Sequence, residues 1–570
     1  MWGVRSGYVT WVIPGRKGPT VLTNHRAALA VAAATGLAVL LPAAPGLGAL
    51  PAAQVAFEVP PATPQGPCGP GSVPEPGLQG RVPADDVAAG GAADGYRCNV
   101  EVVGRFGISG GYKVERYVDA AGHECAFYDT TLLYPTNATA PVEDEPTGVA
   151  VLDMADPSAP RLTTTLTTPA MSTPHESLLV NAKRGLLAAV AGNPLFGPGQ
   201  VDVYDVSQDC RNPVLKSSLP VGILGHESGF APDGNTFWAA SLGGGILTAI
   251  DVSNPSTPRT VYTGRHDTHA LTISDDGNRA YLAAGAGFPR NEVGLGGQVN
   301  GLEILDVSAI QSRAAVPTTS VVGSVEWPTV TIPQAALPVT IGGKPYLVEV
   351  DEFASNGNWI AANGEKVGAG RIIDISDERN PRVVSDLRLE VHDPAVRESL
   401  AGDPGASSAT GGYAGHYCAV PQREEPGIVA CSFLASGLRV FDIRDPLAPK
   451  EVAYFVAPVE AGGPANAAFS SASFVPERRE IWYSDGSRGF FALRLTNGAW
   501  PTAGRPAAPP QSGTGTGTGS SGSGSGPGGG SAEPVAAGRT LPATGLMVPL
   551  GAAVVLLLAA LSLWRRPSKS

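Results

Sequence analysis

The chain has no excess of basic residues and no cluster in which basic and aromatic side chains alternate. Its 39 Lys and Arg residues are outnumbered by 51 Asp and Glu residues, which gives a formal net charge of −12. A nucleic-acid-binding surface needs a basic face. The composition therefore argues against a nucleic-acid partner.

The sequence also lacks the local signatures of several enzyme classes. It contains no nucleophile elbow, no phosphate-binding loop and no Cys–His pair at a usable spacing. No long helical pattern interrupts its central part, so a helical or α/β domain is not indicated there.

What the chain does contain is one pattern that returns many times, an apolar β-branched run that ends on Asp. Leu302-Glu-Ile-Leu-Asp-Val-Ser and Arg371-Ile-Ile-Asp-Ile-Ser are two copies, and a degenerate last copy carries Arg494 at the Asp position. The recurring acid occupies Asp153, Asp205, Asp251, Asp306, Asp374 and Asp442. Such an Asp accepts a hydrogen bond from the backbone N–H two residues on, which closes a turn. Units of about 50 residues without helices predict an all-β, seven-bladed β-propeller of four-stranded blades.

These copies resemble the LVIVD-repeat family of exported β-propeller proteins, and the likeness extends from Tyr96 to Trp500. The resemblance implies a propeller over residues 96–500 but no particular chemistry. The last blade lacks a fourth strand, whereas Asn99–Phe106 has a strand pattern before the first blade. We therefore expect Asn99–Phe106 to be the outer strand of blade seven and to join the two ends of the ring.

Both flanks of the propeller have a different composition. Residues 1–53 combine basic residues, an apolar run and small residues, as a secretory signal peptide does. Residues 54–95 are rich in Pro and Gly, which predicts an irregular or poorly ordered lead-in. Residues 501–540 form a Pro-, Gly- and Ser-rich linker that we expect to span the cell wall.

The last segment, residues 541–570, resembles the sorting signal of sortase-anchored surface proteins of Gram-positive bacteria. The motif is Leu541, Pro542, Ala543, Thr544 and Gly545, followed by an apolar run to Trp564 and by basic residues. The resemblance implies that a sortase attacks the Thr544 carbonyl and joins the chain to peptidoglycan, so the protein would be secreted and displayed on the cell wall. The apolar run is long enough for a transmembrane helix. A plain membrane anchor is the alternative.

Six cysteines in a chain with an export signal favour disulfides. Cys418 and Cys431 flank a hairpin turn, so we expect them to pair across adjacent strands. The remaining four allow three pairings, which stay open at this stage: Cys68, Cys98, Cys125 and Cys210.

A second column lies near the start of each inner strand, where side chains of a propeller converge at one mouth of the central channel. It is occupied by His175, His226, His269 and His416, with Gln334 and Ser470 in two other blades. The longest connections are predicted at the same mouth, and loops on a rigid scaffold often carry function.

Converging imidazoles predict a metal site for copper, zinc or iron. The oxygen ligands expected from blade five are Glu349, Asp351 and Glu352. Glu176 and Glu227 follow their histidines directly and are expected to face away from them and to orient a neighbouring imidazole from outside the ligand set. Selenium-binding proteins and methanethiol oxidases are similar at the level of fold, being propellers with histidines and a metal in the channel. The alternative is that these polar residues only hydrogen-bond loop carbonyls or channel water.

Two functions remain open from the sequence. The first is a monomeric, wall-displayed binding module that uses its mouth loops to contact an unknown surface ligand or protein. The second is an exported, oxidoreductase-like metal-dependent enzyme that uses the histidine-lined channel.

Overall fold

The computed structural model describes residues 59–131, 147–192, 199–223, 225–241, 245–266, 268–284, 301–354, 366–406 and 411–501. The predicted signal peptide, most of the linker and the sorting signal lie outside these residues, as do the central parts of the mouth loops. Among the helices of the described ranges, none has the length and apolar character needed to cross a membrane. The apolar run expected to form a transmembrane helix is not among them.

The first half of the described chain contains two strands that precede the blades, followed by blades one to three. These strands are β1 Tyr96–Cys98, β2 Val100–Phe106, β3 Val114–Val118, β4 Glu124–Asp129, β5 Val149–Asp153, β6 Arg161–Leu166, β7 Leu179–Asn181, β8 Leu186–Val190, β9 Val201–Asp205, β10 Val214–Leu219, β11 Ser228–Phe230, β12 Thr236–Ser241, β13 Ile246–Asp251 and β14 Arg259–Arg265. Two short helices accompany them, α1 Ala84–Ala89 and α2 Pro169–Ser172.

The second half contains blades four to seven. The strands are β15 Thr268–Ile273, β16 Arg279–Ala284, β17 Gly301–Asp306, β18 Ser320–Glu326, β19 Ile332–Ile341, β20 Lys344–Glu352, β21 Gly370–Asp374, β22 Arg382–Leu387, β23 Tyr417–Ala419, β24 Ile428–Phe433, β25 Gly437–Asp442, β26 Lys450–Val456, β27 Ser473–Val475, β28 Glu480–Asp485 and β29 Gly489–Leu495. The helices of this half are α3 Ser308–Gln311 and α4 Pro394–Arg397.

These strands form seven antiparallel sheets, which confirms the predicted propeller. Blades one to five each consist of four consecutive strands, from β3–β6 to β19–β22. Blade six contains β23–β26 and gains β1 as a fifth strand at its outer edge. Blade seven contains β27–β29 and takes its fourth strand, β2, from the beginning of the chain.

The strand-end acids close the predicted turns. Each of the six Asp side chains accepts a hydrogen bond from the backbone N–H two residues on, at 2.8–3.0 Å. In two copies the same carboxylate also binds the Arg that begins the next strand, as Asp153 binds Arg161 at 2.9 Å. The repeat therefore fixes both the end of one strand and the beginning of the next.

The prediction that the strand before blade one joins the two ends of the propeller is confirmed by pairing as well as by strand order. β2 runs antiparallel to β29, with Val100 opposite Leu495 and Phe106 opposite Phe490. Its register shifts between Val102 and Gly104. The outer strand pairs of the other blades shift at the corresponding place, so β2 reproduces the bulge of a regular outer strand.

The described part of the lead-in is irregular, as predicted, but it is not poorly ordered. Val82 and Val87 are buried and pack with Tyr454 of β26. Glu75 pairs with the buried Arg439 at 2.6 Å. The segment is short of regular structure, as its Pro and Gly content predicts, but buried apolar and ionic contacts hold it against blade six.

The disulfides settle the open pairings. Cys418–Cys431 bridges β23 and β24 as predicted. Cys68–Cys98 ties the lead-in to β1, and Cys125–Cys210 joins β4 of blade one to the turn after β9 of blade two.

Apolar side chains fill the spaces between neighbouring blades, as Leu186 and Val203 of blade two do with Phe237 of blade three. This packing fixes the inner strands around the channel.

Candidate metal centre at the channel mouth

The residues of the histidine column meet at the axis, and the backbone is irregular at three of them. His269 lies at a register shift of β15, between Thr268 and Ala270, and Gln334 lies at the equivalent shift of β19. Bulges of this kind turn a side chain out of the regular alternation of a strand. His175 has φ of +50°, a left-handed conformation that is uncommon for residues other than Gly.

Five side chains form a closed ring of contacts, which we call the ligand ring: His226, His269, Glu352, His416 and Glu176. His226 Nε2 lies 3.0 Å from His269 Nε2, which lies 3.1 Å from Glu352 Oε1. Glu352 Oε2 lies 3.1 Å from His416 Nε2. Glu176 completes the ring, with Oε1 at 3.4 Å from His416 Nε2 and Oε2 at 3.0 Å from His226 Nε2.

These spacings are those of neighbouring ligands around one ion. Two donors about 2.1 Å from a metal and about 90° apart lie about 3.0 Å from each other. Three imidazole nitrogens and two carboxylates thus follow one another in contact at the channel mouth, and within them Glu176, Glu352 and His416 lie close enough together to hold one metal ion. The facing nitrogens of His226 and His269 favour the same conclusion, because a cation between them would accept both lone pairs.

The orientation of one imidazole in the ring is fixed by a contact outside the ring. His416 Nδ1 lies 2.7 Å from the carbonyl oxygen of Phe469, to which it must donate. Nε2 faces the ring and carries the lone pair whenever His416 is neutral. Fixing an imidazole through its second nitrogen is the usual arrangement at protein metal sites.

Two buried carboxylates in the ring require two positive charges nearby. The side chains of Glu176 and Glu352 are 1% and 5% exposed. Burial lowers the pKa of His269 and of His416, but these carboxylates outweigh that effect and raise both pKa values to about 9. Burial also raises the pKa of Glu176, yet the imidazoles of His269 and His226 hold it well below its usual range. Two protons on the imidazoles or one divalent cation would balance the two negative charges of these carboxylates equally.

An ion pair lies directly beneath the ring. Lys113 Nζ donates to Glu227 Oε1 at 2.7 Å and lies 4.1 Å from the ring centre of Tyr417. Glu227 Oε2 is 3.8 Å from His269 Nδ1, and neither atom has a hydrogen-bond partner in the described structure. Glu227 thus lies beside a neighbouring imidazole without a hydrogen bond to it. Lys113 was missed, because blade one carries Tyr112 where other blades carry His.

Other predictions for this site are corrected by the structure. Glu349 and Asp351 are buried but both pair with Arg371, so they do not reach the ring. Alternation along β20 explains this, since residues 349 and 351 share the face opposite to that of Glu352. Glu176 belongs to the ring itself rather than outside it, because the left-handed conformation of His175 breaks the strand alternation on which the prediction was based.

His175 lies at the solvent side of the ring. Its side chain is 18% exposed and stacks on Tyr112, with ring centres 4.3 Å apart. Its Nδ1 lies 3.7 Å from Glu176 Oε2 and has no hydrogen-bond partner in the described structure. Burial and the neighbouring His226 lower the pKa of His175 to about 3, so its imidazole is neutral at physiological pH. Gln334 supports the opposite side by donating to Glu176 Oε1 at 2.7 Å.

The fold and this cluster define a seven-bladed β-propeller with a polar, histidine-rich channel mouth. A model of the LVIVD repeat matches residues 242–264, which include β13 with its terminal Asp251. The chain therefore contains an LVIVD repeat within a propeller. No curated protein has a sequence that matches this chain.

Solved structures with a similar fold come from distant proteins. Hydrazine synthase of Kuenenia stuttgartiensis has a TM-score of 0.41 and 15% identity, over 68% of this chain and 97% of that chain. The Myceliophteria thermophila Cps50 (Swd1) β-propeller domain has a TM-score of 0.41 and 12% identity, over 70% and 99%. A functionally unknown protein from Desulfotomaculum acetoxidans has a TM-score of 0.38 and 12% identity, over 63% and 89%. At these identities the similarity concerns the fold alone.

Proposed function

We propose that the ligand ring binds one divalent transition-metal ion and that this protein is an exported, metal-dependent propeller. The closed ring of three imidazoles and two carboxylates, with neighbouring donor atoms 3.0–3.4 Å apart, is the observation that carries the proposal. Buried carboxylates and histidines without such a role would be costly to retain in the core of a channel.

The donor set favours iron among the three metals considered. Imidazole suits zinc, copper and iron, and carboxylates are hard ligands that suit octahedral ions. Zinc usually has four ligands, of which a catalytic site leaves one open. Three imidazoles and two carboxylates exceed the four ligands that are usual for zinc, and this mixed nitrogen and oxygen set would suit iron. Bound iron would supply one-electron redox chemistry, which favours an oxidoreductase.

The more exposed side of the ligand ring faces the channel mouth. His175 and His226 are the exposed members of the cluster, with side chains 18% and 15% exposed, whereas His269 and His416 are fully buried. A small molecule that binds the metal would therefore enter on the side of His175. The neutral His175 imidazole is placed to hydrogen-bond such a ligand.

A second candidate function is the wall-displayed binding module that contacts a surface ligand through its mouth loops. It is favoured by the long connections that follow Asp129, Ala191, Ala284 and Glu352, which begin at the ends of strands nearest the ring. In this case the ring would be a structural cluster that holds two protons.

We also propose that the protein is secreted and covalently attached to peptidoglycan through Thr544. The motif and flanks of residues 541–570 support this. Mass spectrometry of muramidase-released protein should give a C-terminal peptide that ends at Thr544 and carries a peptidoglycan fragment. A Thr544→Ala chain that remains in the wall fraction with the same linkage would contradict the attachment.

Metal analysis of the secreted protein, after exposure to iron, copper and zinc salts in turn, separates the two functions. We expect one ion per chain in the wild type and loss of that ion in His226→Ala/His269→Ala. His123→Ala is the matched control, because His123 also contacts a carboxylate, Asp119 at 2.9 Å, but lies outside the ring. A folded wild-type chain that retains no metal would overturn the metal centre and leave the binding module.

A further inference from the structure

The central channel contains a second feature that the metal centre does not use, a cavity of about 460 Å³. At one end it is bounded by Lys113 and Glu227, the pair beneath the ligand ring. At the other end it is lined by Lys183 and Asp275, which are exposed residues of inner-strand turns. The cavity therefore opens on the face opposite to the channel mouth. Its volume is in the range of small-molecule sites.

One carboxylate in this cavity has no cation paired with it. Glu115 lines the cavity, and Oε2 accepts a hydrogen bond from the backbone N–H of Val180 at 3.1 Å. No Lys, Arg or His of the described chain lies within 4.0 Å of its carboxylate. Lys113, two residues before Glu115, is already bound by Glu227 at 2.7 Å, and Arg116 on the same strand is bound by Glu124.

Two basic residues lie at the cavity exit, of which Arg423 pairs with Asp275 at 2.6 Å and Lys183 is exposed to solvent. Around Glu115 the walls are mainly aliphatic, with Leu179, Leu271 and Leu337 among them. A carboxylate beside apolar walls favours a partner that brings both a positive charge and an apolar part. A bare metal ion fits poorly, because such ions need several oxygen ligands and Glu115 is the one uncommitted carboxylate of this lining.

We propose that the channel cavity binds a small primary alkylammonium ion, with its ammonium group on Glu115 and its alkyl chain against the aliphatic wall. This site is separate from the metal centre and approached from the opposite face. It does not depend on the ring holding a metal.

The pH dependence of binding gives a second readout. Burial raises the pKa of Glu115 to about 7, so the carboxylate that pairs with the ammonium ion forms as the pH rises through 7. Affinity should therefore increase from pH 6 to pH 8. The other charged groups facing the cavity are Lys113 and Glu227 at the ring end and Lys183, Asp275 and Arg423 at the exit. Glu227 also has its pKa raised to about 7 by burial, so the variant below is needed to assign the effect.

Titration calorimetry with n-butylammonium chloride on the secreted full chain tests the proposal. We expect saturable 1:1 binding to the wild type. In Glu115→Gln the affinity should fall at least tenfold and should no longer depend on pH. In Asp275→Asn the affinity should stay within twofold of the wild-type value. Glu115→Gln keeps the acceptor for Val180, and its thermal unfolding and metal content should equal those of the wild type. Butanol, the uncharged analogue, should bind at least tenfold more weakly.

Three results would overturn the proposal. These are no saturable binding of butylammonium to folded wild-type protein at millimolar concentrations, equal binding to Glu115→Gln, and an equal loss in Asp275→Asn, which would place the cation at the cavity exit. None of them bears on the metal centre, because metal content is measured separately on the same samples.

Discussion

Binding of a divalent ion to the ligand ring should release about two protons at pH 7. The two carboxylates Glu176 and Glu352 raise the pKa values of His269 and His416 to about 9 in the metal-free protein, so both imidazoles are protonated at pH 7. An ion that takes the Nε2 lone pairs of both residues must displace both protons. Because these pKa values are raised, the competing protons are fully present below about pH 8 and are lost as the pH passes 9.

The expected magnitude follows from this proton count. With two protons in competition, the apparent affinity for Zn²⁺, used as a redox-inert probe, should rise about 100-fold per pH unit between pH 6.5 and 8. Titration calorimetry in buffers of different ionisation enthalpy measures the proton number directly. Glu352→Gln leaves one carboxylate, which holds one imidazolium, so about one proton should be released and the affinity should fall at least tenfold.

Glu115→Gln is the matched control for this experiment, because it removes a channel carboxylate outside the ring. It should release the same two protons as the wild type. A proton release near zero at pH 7, or an affinity that does not change with pH, would refute the assignment of two imidazolium groups paired with Glu176 and Glu352.

Three further predictions concern stability. Lys113→Met leaves the buried Glu227 carboxylate without its cation and should cost about 3–5 kcal/mol in urea unfolding, whereas Lys113→Met/Glu227→Gln should recover much of that loss; equal costs would contradict the pairing. Cys125→Ala/Cys210→Ala removes a disulfide between residues 85 apart and should lower the free energy of unfolding by about 4–5 kcal/mol. Cys418→Ala/Cys431→Ala removes one between residues 13 apart and should lower it by about 3 kcal/mol, because a shorter loop constrains the unfolded chain less. Gly104→Val should lower the free energy of unfolding by about 1–3 kcal/mol, because a Cβ there meets the carbonyl oxygen of Pro157 in blade one, and an unchanged midpoint would argue against a tightly closed ring.

The blade architecture was predictable because its determinants are local. An Asp that accepts from the N–H two residues on acts within its own turn, so each copy of the repeat carries the information for its turn. The outer strand of blade seven was predictable from the strand count. The sequence after blade six contains only three strands, and Asn99–Phe106 is a strand that belongs to no other blade. The fifth strand of blade six was not, because β1 pairs with β26 only after the lead-in has packed against that blade.

At the candidate site the sequence identified the three histidines of the ligand ring, but it also counted His175 among the ligands and assigned the acids less well. Strand alternation separates Glu349 and Asp351 from Glu352, yet the sequence does not show which face of β20 points to the axis. Glu176 was expected outside the ligand set because regular alternation was assumed. The backbone of His175, at φ of +50°, has no signature in the sequence. Lys113 contacts Glu227 of blade three, which lies 114 residues further along the chain, so this pair is recognisable only in the folded propeller.

Anomalous X-ray scattering from crystals of the metal-saturated protein tests the central claim most directly. Data collected on both sides of the absorption edge of the bound metal should show one peak within bonding distance of Nε2 of His226, His269 and His416 and of the carboxylates of Glu176 and Glu352. No peak within the ring, or a peak at another cluster such as the one around His123, would contradict the account.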